Sequence, residues 1–376
     1  MDKKKELAVV YIITKLELGG AQKVCLALFN QVNENITTYL ISGTEGPLVS
    51  TVHDNSRAFL LPELTREVHF SPRALMQEIR AFFAIVKVLK TLKKMHATVQ
   101  VHTHSTKAGY MGRWAAFFAG IQTRIHTVHG FGFNDYQPTL IHSIAYVLEY
   151  CTALITSSYI CVSTHDLALG KKKLPGFKQK AHLIRAAVDD QKFIAAQRFK
   201  EPQKDCITFG TIACFKPQKN LIDLLKAFHQ IHQQNPLTRL EIIGDGIQRP
   251  VLERFIKENN LGQAVSLHGW QHDVAPFMAR WNCFVLSSLW EGLPCSIVEA
   301  LFMEIPVIAY NVGGISDVLP ESQLVEPGNW QMLAHKMQQF LNQPVAPAFA
   351  HKDTFALSAM IHQHQAVYTN IDQKQL

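Results

Sequence analysis

The sequence predicts an α/β chain of two doubly wound, parallel-sheet domains. Short β-branched apolar runs alternate with longer helical stretches over most of the 376 residues, the order that builds parallel sheets. The first run, residues 7–14, is apolar and β-branched almost throughout rather than alternating, like a strand buried on both faces. The series occurs twice, with one polar stretch between.

Residues 7–14 (LAVVYIIT) form the first strand. Residues 1–6 and this run faintly resemble a secretory leader, but Lys15 and Glu17 follow with no small-residue cleavage site, so a buried strand is the better reading. A helix over 21–31 follows Gly19 and Gly20, and 37–42 and 58–61 read as strands. In 73–96, Leu75, Ile79, Phe82, Phe83, Val86, Leu89 and Leu92 recur at helical spacing. Strands over 98–103, 124–129 and 153–157 complete the first series. The stretch 189–205, rich in Lys, Gln, Arg and Pro, holds the linker. The second series has strands over 207–212, 239–243, 264–268, 283–287 and 306–310, with helices over 221–234, 249–259 and 296–303. The expected organisation is a first domain over 1–192, a linker over 193–204, a second domain over 205–345, and a tail over 346–376, helical from 353 to 370, that packs back on the first domain. Open sheets bind ligands beyond the carboxyl ends of their strands, so the expected site is the cleft between two such domains.

An apolar content of 47% with 18% charged residues excludes a disordered or fibrous chain. No apolar run near the start approaches the ~20 residues of a membrane span. Seven scattered cysteines without a C-x-x-C suit reduced thiols in a cytosol rather than a disulfide frame or zinc site. The net charge of +7 is uneven, +9 over residues 1–192 and −2 over the rest. A basic half suits phosphorylated ligands, anionic lipid or nucleic acid. Without a zinc finger, an RNP-like motif or a basic tail, no nucleic acid is expected.

Four motifs carry chemistry. Gly19 and Gly20 lie between a strand and a helix, where the backbone can approach a ligand and the helix start offers N–H groups to an anion; a plain turn explains them as well. Residues 216–220 (KPQKN) place Lys216 and Lys219 just before a helix, where an ammonium can pair with a phosphate at the helix end. Asn220, with Asp223 three residues on, reads as its N-cap. In 291–299 (EGLPCSIVE) two carboxylates stand eight residues apart across a Gly-x-Pro turn. Gly292 and Pro294 cannot sit mid-helix, so Glu291 belongs to the loop and Glu299 to the following helix, a pair suited to a polyol's hydroxyls. Gly313 and Gly314 follow the strand over 306–310 as Gly19 and Gly20 follow the first. None of the thirteen aspartates forms a D-x-D, which argues against a metal holding a diphosphate. The close pairs His102/His104, His126/His129 and His362/His364 are expected by chance among 18 histidines, and no metal site is expected.

Together these residues resemble the GT-B glycosyltransferases, specifically glycosyltransferase family four, from Leu7 to about Lys336. The E-x7-E box is the specific feature. Smaller matches fall in the family's order: LGGAQ over 18–22, HTHSTKAG over 102–109, IHTVHG over 125–130, KPQKN, residues 243–246 (IGDG) and VGGISDVL over 312–319. The resemblance implies two Rossmann-like domains facing across a cleft and transfer of a sugar from a nucleotide-diphosphate donor, UDP-sugar above all, with retention and without cofactor or metal. It implies catalytic roles for His129, Lys219 and Glu291. Donor contacts fall to Gly19, Gly20, Lys216, Lys219, Gly244, Glu291, Gly292, Leu293 and Glu299, with Lys219 on the diphosphate, Glu291 on the sugar and Glu299 on the ribose. The family's usual arginine five residues before Lys219 is here Cys214, its aspartate ahead of the HTHS strand falls within 97–98, and its glycine-rich turn between Leu319 and Pro327 is missing.

The acceptor implied is a saccharide or lipid-linked saccharide of bacterial surface-polysaccharide synthesis, and the protein is expected in the cytoplasm, with peripheral attachment to the inner membrane face as an option. The helix over 73–96 carries Arg80, Lys87, Lys90, Lys93 and Lys94 beside Phe82, Phe83, Val86 and Leu89, so it could lie on an anionic membrane or pack as an ordinary core helix. A non-hydrolysing nucleotide-sugar epimerase of the same fold and an inactive nucleotide-sugar-binding module are the alternatives.

Overall fold

A computed structural model describes residues 7–31, 36–52, 54–65, 71–199, 206–344, 347, 349 and 351–375. The chain forms two compact units, Met1–Ala186 with Leu357–Leu376, and Ala187–Ala356.

The first unit contains β1 (Leu7–Ile12), α1 (Gly20–Gln31), β2 (Ile36–Ser42), β3 (Ala58–Leu60), α2 (Pro72–Met95), β4 (Thr98–Thr103), α3 (Thr106–Phe118), β5 (Thr123–Val128), α4 (Thr139–Ile155), β6 (Ser158–Cys161), α5 (Thr164–Lys173), α6 (Phe177–Lys180) and β7 (Ala181–Leu183). The seven strands lie in the order β3-β2-β1-β4-β5-β6-β7, all parallel. All six residues of β1 are buried, as its unbroken apolar run requires. The order reverses between β1 and β4, which opens a crevice at their carboxyl ends.

Ser71 starts α2 by accepting the Ala74 N–H at 3.2 Å, with Pro72 in the first turn. Ala81, Ile85, Val86, Leu89 and Leu92 are buried in one core with Val10, Ile12 and Val101. The stripe holding Val86 and Leu89 is therefore core, which corrects the expectation that these residues could face a membrane. The expected strand over 153–157 is also corrected. Its first three residues, 153–155, end α4, Thr156 is the extended residue that caps the helix, and the strand is β6. Thr152 and Thr156 donate their hydroxyls to carbonyls four residues back, at 2.7 Å each, so both β-branched side chains are tied to the last turns of the helix instead of starting a strand.

The second unit contains α7 (Asp190–Ala196), β8 (Ile207–Ile212), α8 (Leu221–Gln234), β9 (Thr238–Ile243), α9 (Arg249–Glu258), β10 (Val265–Leu267), α10 (Ala275–Met278), β11 (Cys283–Leu286), α11 (Cys295–Phe302), β12 (Val307–Tyr310), β13 (Leu324–Val325) and α12 (Trp330–Asn342). Its six strands run parallel in the order β10-β9-β8-β11-β12-β13, with the reversal between β8 and β11. Trp281 is buried against Gly210, where a Cβ would come within 2.0 Å of its ring.

The units divide at Ala186, before the linker expected over 193–204. The Asp189 carboxylate caps α7 by accepting the Lys192 N–H, and Phe193 is buried, so the start of the polar stretch folds with the second unit. Residues 200–204 lie outside the described residues. The last helix, α13 (Leu357–Gln375), belongs to the first unit. Its Tyr368 hydroxyl accepts from Tyr11, and its Tyr368 carbonyl accepts from Gln100 of β4.

Candidate functional site

In the second unit the loops that follow β8 and β11, the two strands at the reversal, are stitched together. The Leu289 N–H donates to the Gln218 carbonyl at 2.8 Å, and Gln218 Nε2 donates to the Trp290 carbonyl at 2.8 Å. The Ser287 hydroxyl reaches the carbonyls of Lys219 and Asn220, both at 3.0 Å. This places the Lys219 ammonium on the Glu291 carboxylate, with the side chains 18% and 10% exposed. Lys216 precedes Pro217 in extended backbone. Asn220 is left-handed (φ 44°) and makes no side-chain cap; its amide donates to Asp223 at 2.6 Å, and Asp223 also accepts from the Tyr310 hydroxyl at 2.9 Å. The expected N-cap is thus a side-chain bridge inside the first turn. Burial and the Asp223 contact push the Tyr310 pKa up, so it stays a donor.

The loop after β12 closes on the same segment. The Gly314 N–H donates to the Gly292 carbonyl at 2.6 Å. Gly313 has φ 55°, and a Cβ there would stand 1.9 Å from the Glu291 carbonyl oxygen, so only glycine fits. Leu293 is buried, α11 begins at Cys295 after Pro294, and Glu299 is buried in its second turn. Gly244, after β9, has φ 128° and would drive a Cβ within 2.0 Å of the Ala213 carbonyl oxygen; its N–H donates to Gly269. Next to it Asp245 binds Arg249 at 2.8 Å, which holds the Asp245 carboxyl below its usual pKa. The arrangement brings one cation, one carboxylate and several glycine-rich turns to the carboxyl edge of β8, β11 and β12. A diphosphate and a polyol can be held by such a set.

In the first unit, Gly19 precedes α1 and Gly20 is its first residue, after β1. A Cβ on Gly19 would meet Gln22 at 2.4 Å. His129 follows β5, and its Nε2 lies 3.0 Å from His104 Nδ1, after β4. Behind them, His102 contacts Thr127 and the Tyr368 hydroxyl, at 2.7 Å each. Burial lowers the pKa of His129 to about 3, with His364 adding repulsion, and lowers that of His364 to about 4. His102, His104 and His126 are likewise held well below the ordinary histidine value by burial. His129 keeps part of its surface exposed, which tempers its shift without reversing it. These rings are neutral at pH 7. His129 can therefore give or accept a hydrogen bond there, but contributes no cation.

Residues 193–353 match the family described as glycosyl transferases group 1. The UDP-Gal:alpha-D-GlcNAc-diphosphoundecaprenol alpha-1,3-galactosyltransferase of Escherichia coli is 31% identical over 308 residues, covering 79% of this chain and 77% of that protein. The chain belongs to the group 1 glycosyl transferases. Among solved structures, the sucrose-phosphate synthase of Thermosynechococcus elongatus superposes with a TM-score of 0.78 at 20% identity, over 98% of this chain and 100% of that one. The Anabaena protein HepE, in complex with UDP-glucose, superposes at 0.77 and 16% identity over 96% and 99%. Both share the GT-B fold with this glycosyl transferase.

Sequence reasoning passed over His104 of this glycosyl transferase, because close histidine pairs are common by chance. The signal was positional: His104 and His129 each follow one of two neighbouring strands, β4 and β5. Among the described residues no group of three His, Cys, Asp or Glu side chains is arranged to hold a metal ion.

Proposed function

We propose that the chain moves a hexosyl or N-acetylhexosaminyl group from a UDP-sugar to the hydroxyl of a lipid-linked saccharide, retaining the anomeric configuration and using no metal. The observation that carries this reading is the Lys219–Glu291 pair at the point where the strand order of the second unit reverses. The Escherichia coli relative, whose name specifies UDP-Gal and a diphosphoundecaprenol-linked GlcNAc, supports the choice of donor and acceptor class.

In this reading the arriving diphosphate draws Lys219 away from Glu291. Lys219 then faces the oxygen on which negative charge grows as the sugar leaves, which lowers the barrier rather than merely tightening binding. Lys216 and the N–H groups before α8 add positive potential. Glu291, released from Lys219, accepts from sugar hydroxyls, beside the backbone of Gly292 and Leu293. Glu299 holds the ribose, and Gly244 lets the backbone come close to the nucleotide. On the first unit, Gly19 and Gly20 give backbone access to the diphosphate, and neutral His129 hydrogen-bonds the transferring sugar. The leaving phosphate takes the acceptor's proton, so no side-chain base is needed. The absence of a D-x-D in the sequence supports metal independence.

Calorimetric titration with UDP and with UDP-galactose, UDP-glucose and UDP-N-acetylglucosamine, followed by turnover of any binder with a GlcNAc-diphospholipid, tests this reading. Binding and acceptor-dependent consumption of one donor are expected. Free sugar nucleotide isomerised without acceptor would indicate an epimerase, and binding without consumption an inactive module.

A further inference from the structure

α4 turns an uncharged face to solvent. Leu140, Ile141, Ile144, Val147, Leu148 and Leu154 are between 43% and 72% exposed, and they fall on one side of the helix at i, i+4, i+7 and i+8 steps. Its buried side holds Glu149, Thr152 and Ala153, and Glu149 is spent on Arg113 at 2.8 Å. No charged residue therefore lies on the outward face, which runs about 20 Å along the helix. Side chains of this size and exposure present on the order of 500 Å² of apolar surface, at the upper end of what a monomer carries in one patch.

The patch continues onto the end of α3. Phe117 and Phe118 are 45% and 60% exposed, and Trp114 packs on both rings while donating to Thr152 of α4 at 3.1 Å. Its border is basic. The Tyr146 hydroxyl of α4 donates to the Lys173 carbonyl, which places the exposed Lys171–Lys173 end of α5 beside it. Arg124 donates to the Ile155 carbonyl at the other end of α4 and lies over the Phe117 ring. Lys93 of α2 reaches the Gly120 carbonyl just past Phe118. An uncharged, aliphatic centre with a cationic rim matches the acyl boundary and phosphate layer of an anionic bilayer. A second copy of the chain set face to face would bring two cationic rims together. α4 has 17 residues, and no helix among those described is long and apolar enough to cross a membrane.

We propose that α4 lies in the plane of an anionic lipid surface, its aliphatic face in the acyl boundary, with Phe117 and Phe118 beside it and the basic ends of α5 and α2 on the headgroups. The surface lies on a different helix from the one expected from the sequence, the stripe of α2 that holds Val86 and Leu89 being core. It does not depend on the transfer reading.

The test is flotation of the full chain with phosphatidylcholine vesicles, with and without phosphatidylglycerol. The protein should float with the anionic vesicles, and salt at about 0.5 M should release part of it. Ile144→Glu with Leu148→Glu should cut flotation about tenfold or more while leaving the melting temperature unchanged, since both side chains are exposed in the free protein. Lys171→Glu with Lys172→Glu should cut flotation on anionic vesicles only. A bimane on Cys151, the exposed cysteine of α4, in a Cys206→Ser and Cys214→Ser background, should shift to the blue on anionic vesicles. Wild-type protein that does not float, an α4 variant that floats as wild type, or an unmoved bimane would overturn the proposal. So would an α4 variant that changes the sedimenting mass while flotation persists, which would make the face a contact between copies.

Discussion

The Lys219 ammonium rests on the carboxylate of Glu291, a residue 72 positions further on. The two side chains come from separate loops of the second unit, and each is largely buried. Without a ligand they neutralise each other, so whatever engages one frees the other. Lys219→Ala should leave Glu291 without its counter-charge and lower stability by about 1–2 kcal/mol, less than for a wholly buried pair. The double variant should cost less than the two single changes combined, and chemical denaturation of all four proteins measures that coupling.

Glu291 and Glu299 should fail in different ways. Glu291→Ala should leave UDP affinity nearly unchanged and weaken the intact donor, because a sugar hydroxyl loses its acceptor. Glu299→Ala should weaken UDP itself. Parallel titrations with UDP and UDP-sugar separate the two; equal losses for UDP would refute the assignment.

Gly313→Ala should damage the site from outside it. The new methyl would collide with the Glu291 carbonyl oxygen at a backbone angle that only glycine adopts readily. A loss of roughly 2–4 kcal/mol in stability is expected, with donor affinity falling alongside, measured by thermal melting and calorimetry.

Mild acid should loosen the first unit. His102, His104, His126, His129 and His364 all have folded pKa values below the unfolded value near 6.5. Between 6.5 and about 3 the unfolded chain binds more protons than the folded one, so stability is full above 6.5 and declines as pH falls through that window. Each such histidine adds a slope of up to ~1.4 kcal/mol per pH unit. Stability measured from pH 8 to 5 should fall steeply below 6.5, and His104→Gln should flatten the fall; a flat profile would contradict the buried, neutral cluster.

Transfer should persist in EDTA, since the proposed stabilisation of the leaving diphosphate comes from Lys219 and backbone N–H groups. Activity lost on chelation and restored by Mg²⁺ or Mn²⁺ would refute metal independence.

Much of the fold was legible, because strands buried on both faces announce themselves. The predicted strand 207–212 and helix 221–234 coincide with β8 and α8. α4 was missed because a helix apolar over most of its surface shows little periodicity, and the stretch 153–157, which takes in its last three residues, reads locally as a strand. Polar composition cannot reveal that Phe193, at the start of the expected linker, is buried. Within the site, the spacing of Glu291 and Glu299 fixed their elements through Pro294. The contact of Lys219 with Glu291, like that of His104 with His129, depends on strand order, which no local pattern records.

The most direct measurement is UDP release from UDP-galactose, with and without a GlcNAc-diphospholipid acceptor, by wild type and Lys219→Ala. Release should require the acceptor, and Lys219→Ala should lower kcat by ~10²–10³. Consumption of no UDP-sugar by the wild type, or a Lys219→Ala enzyme that transfers at the wild-type rate, would contradict it.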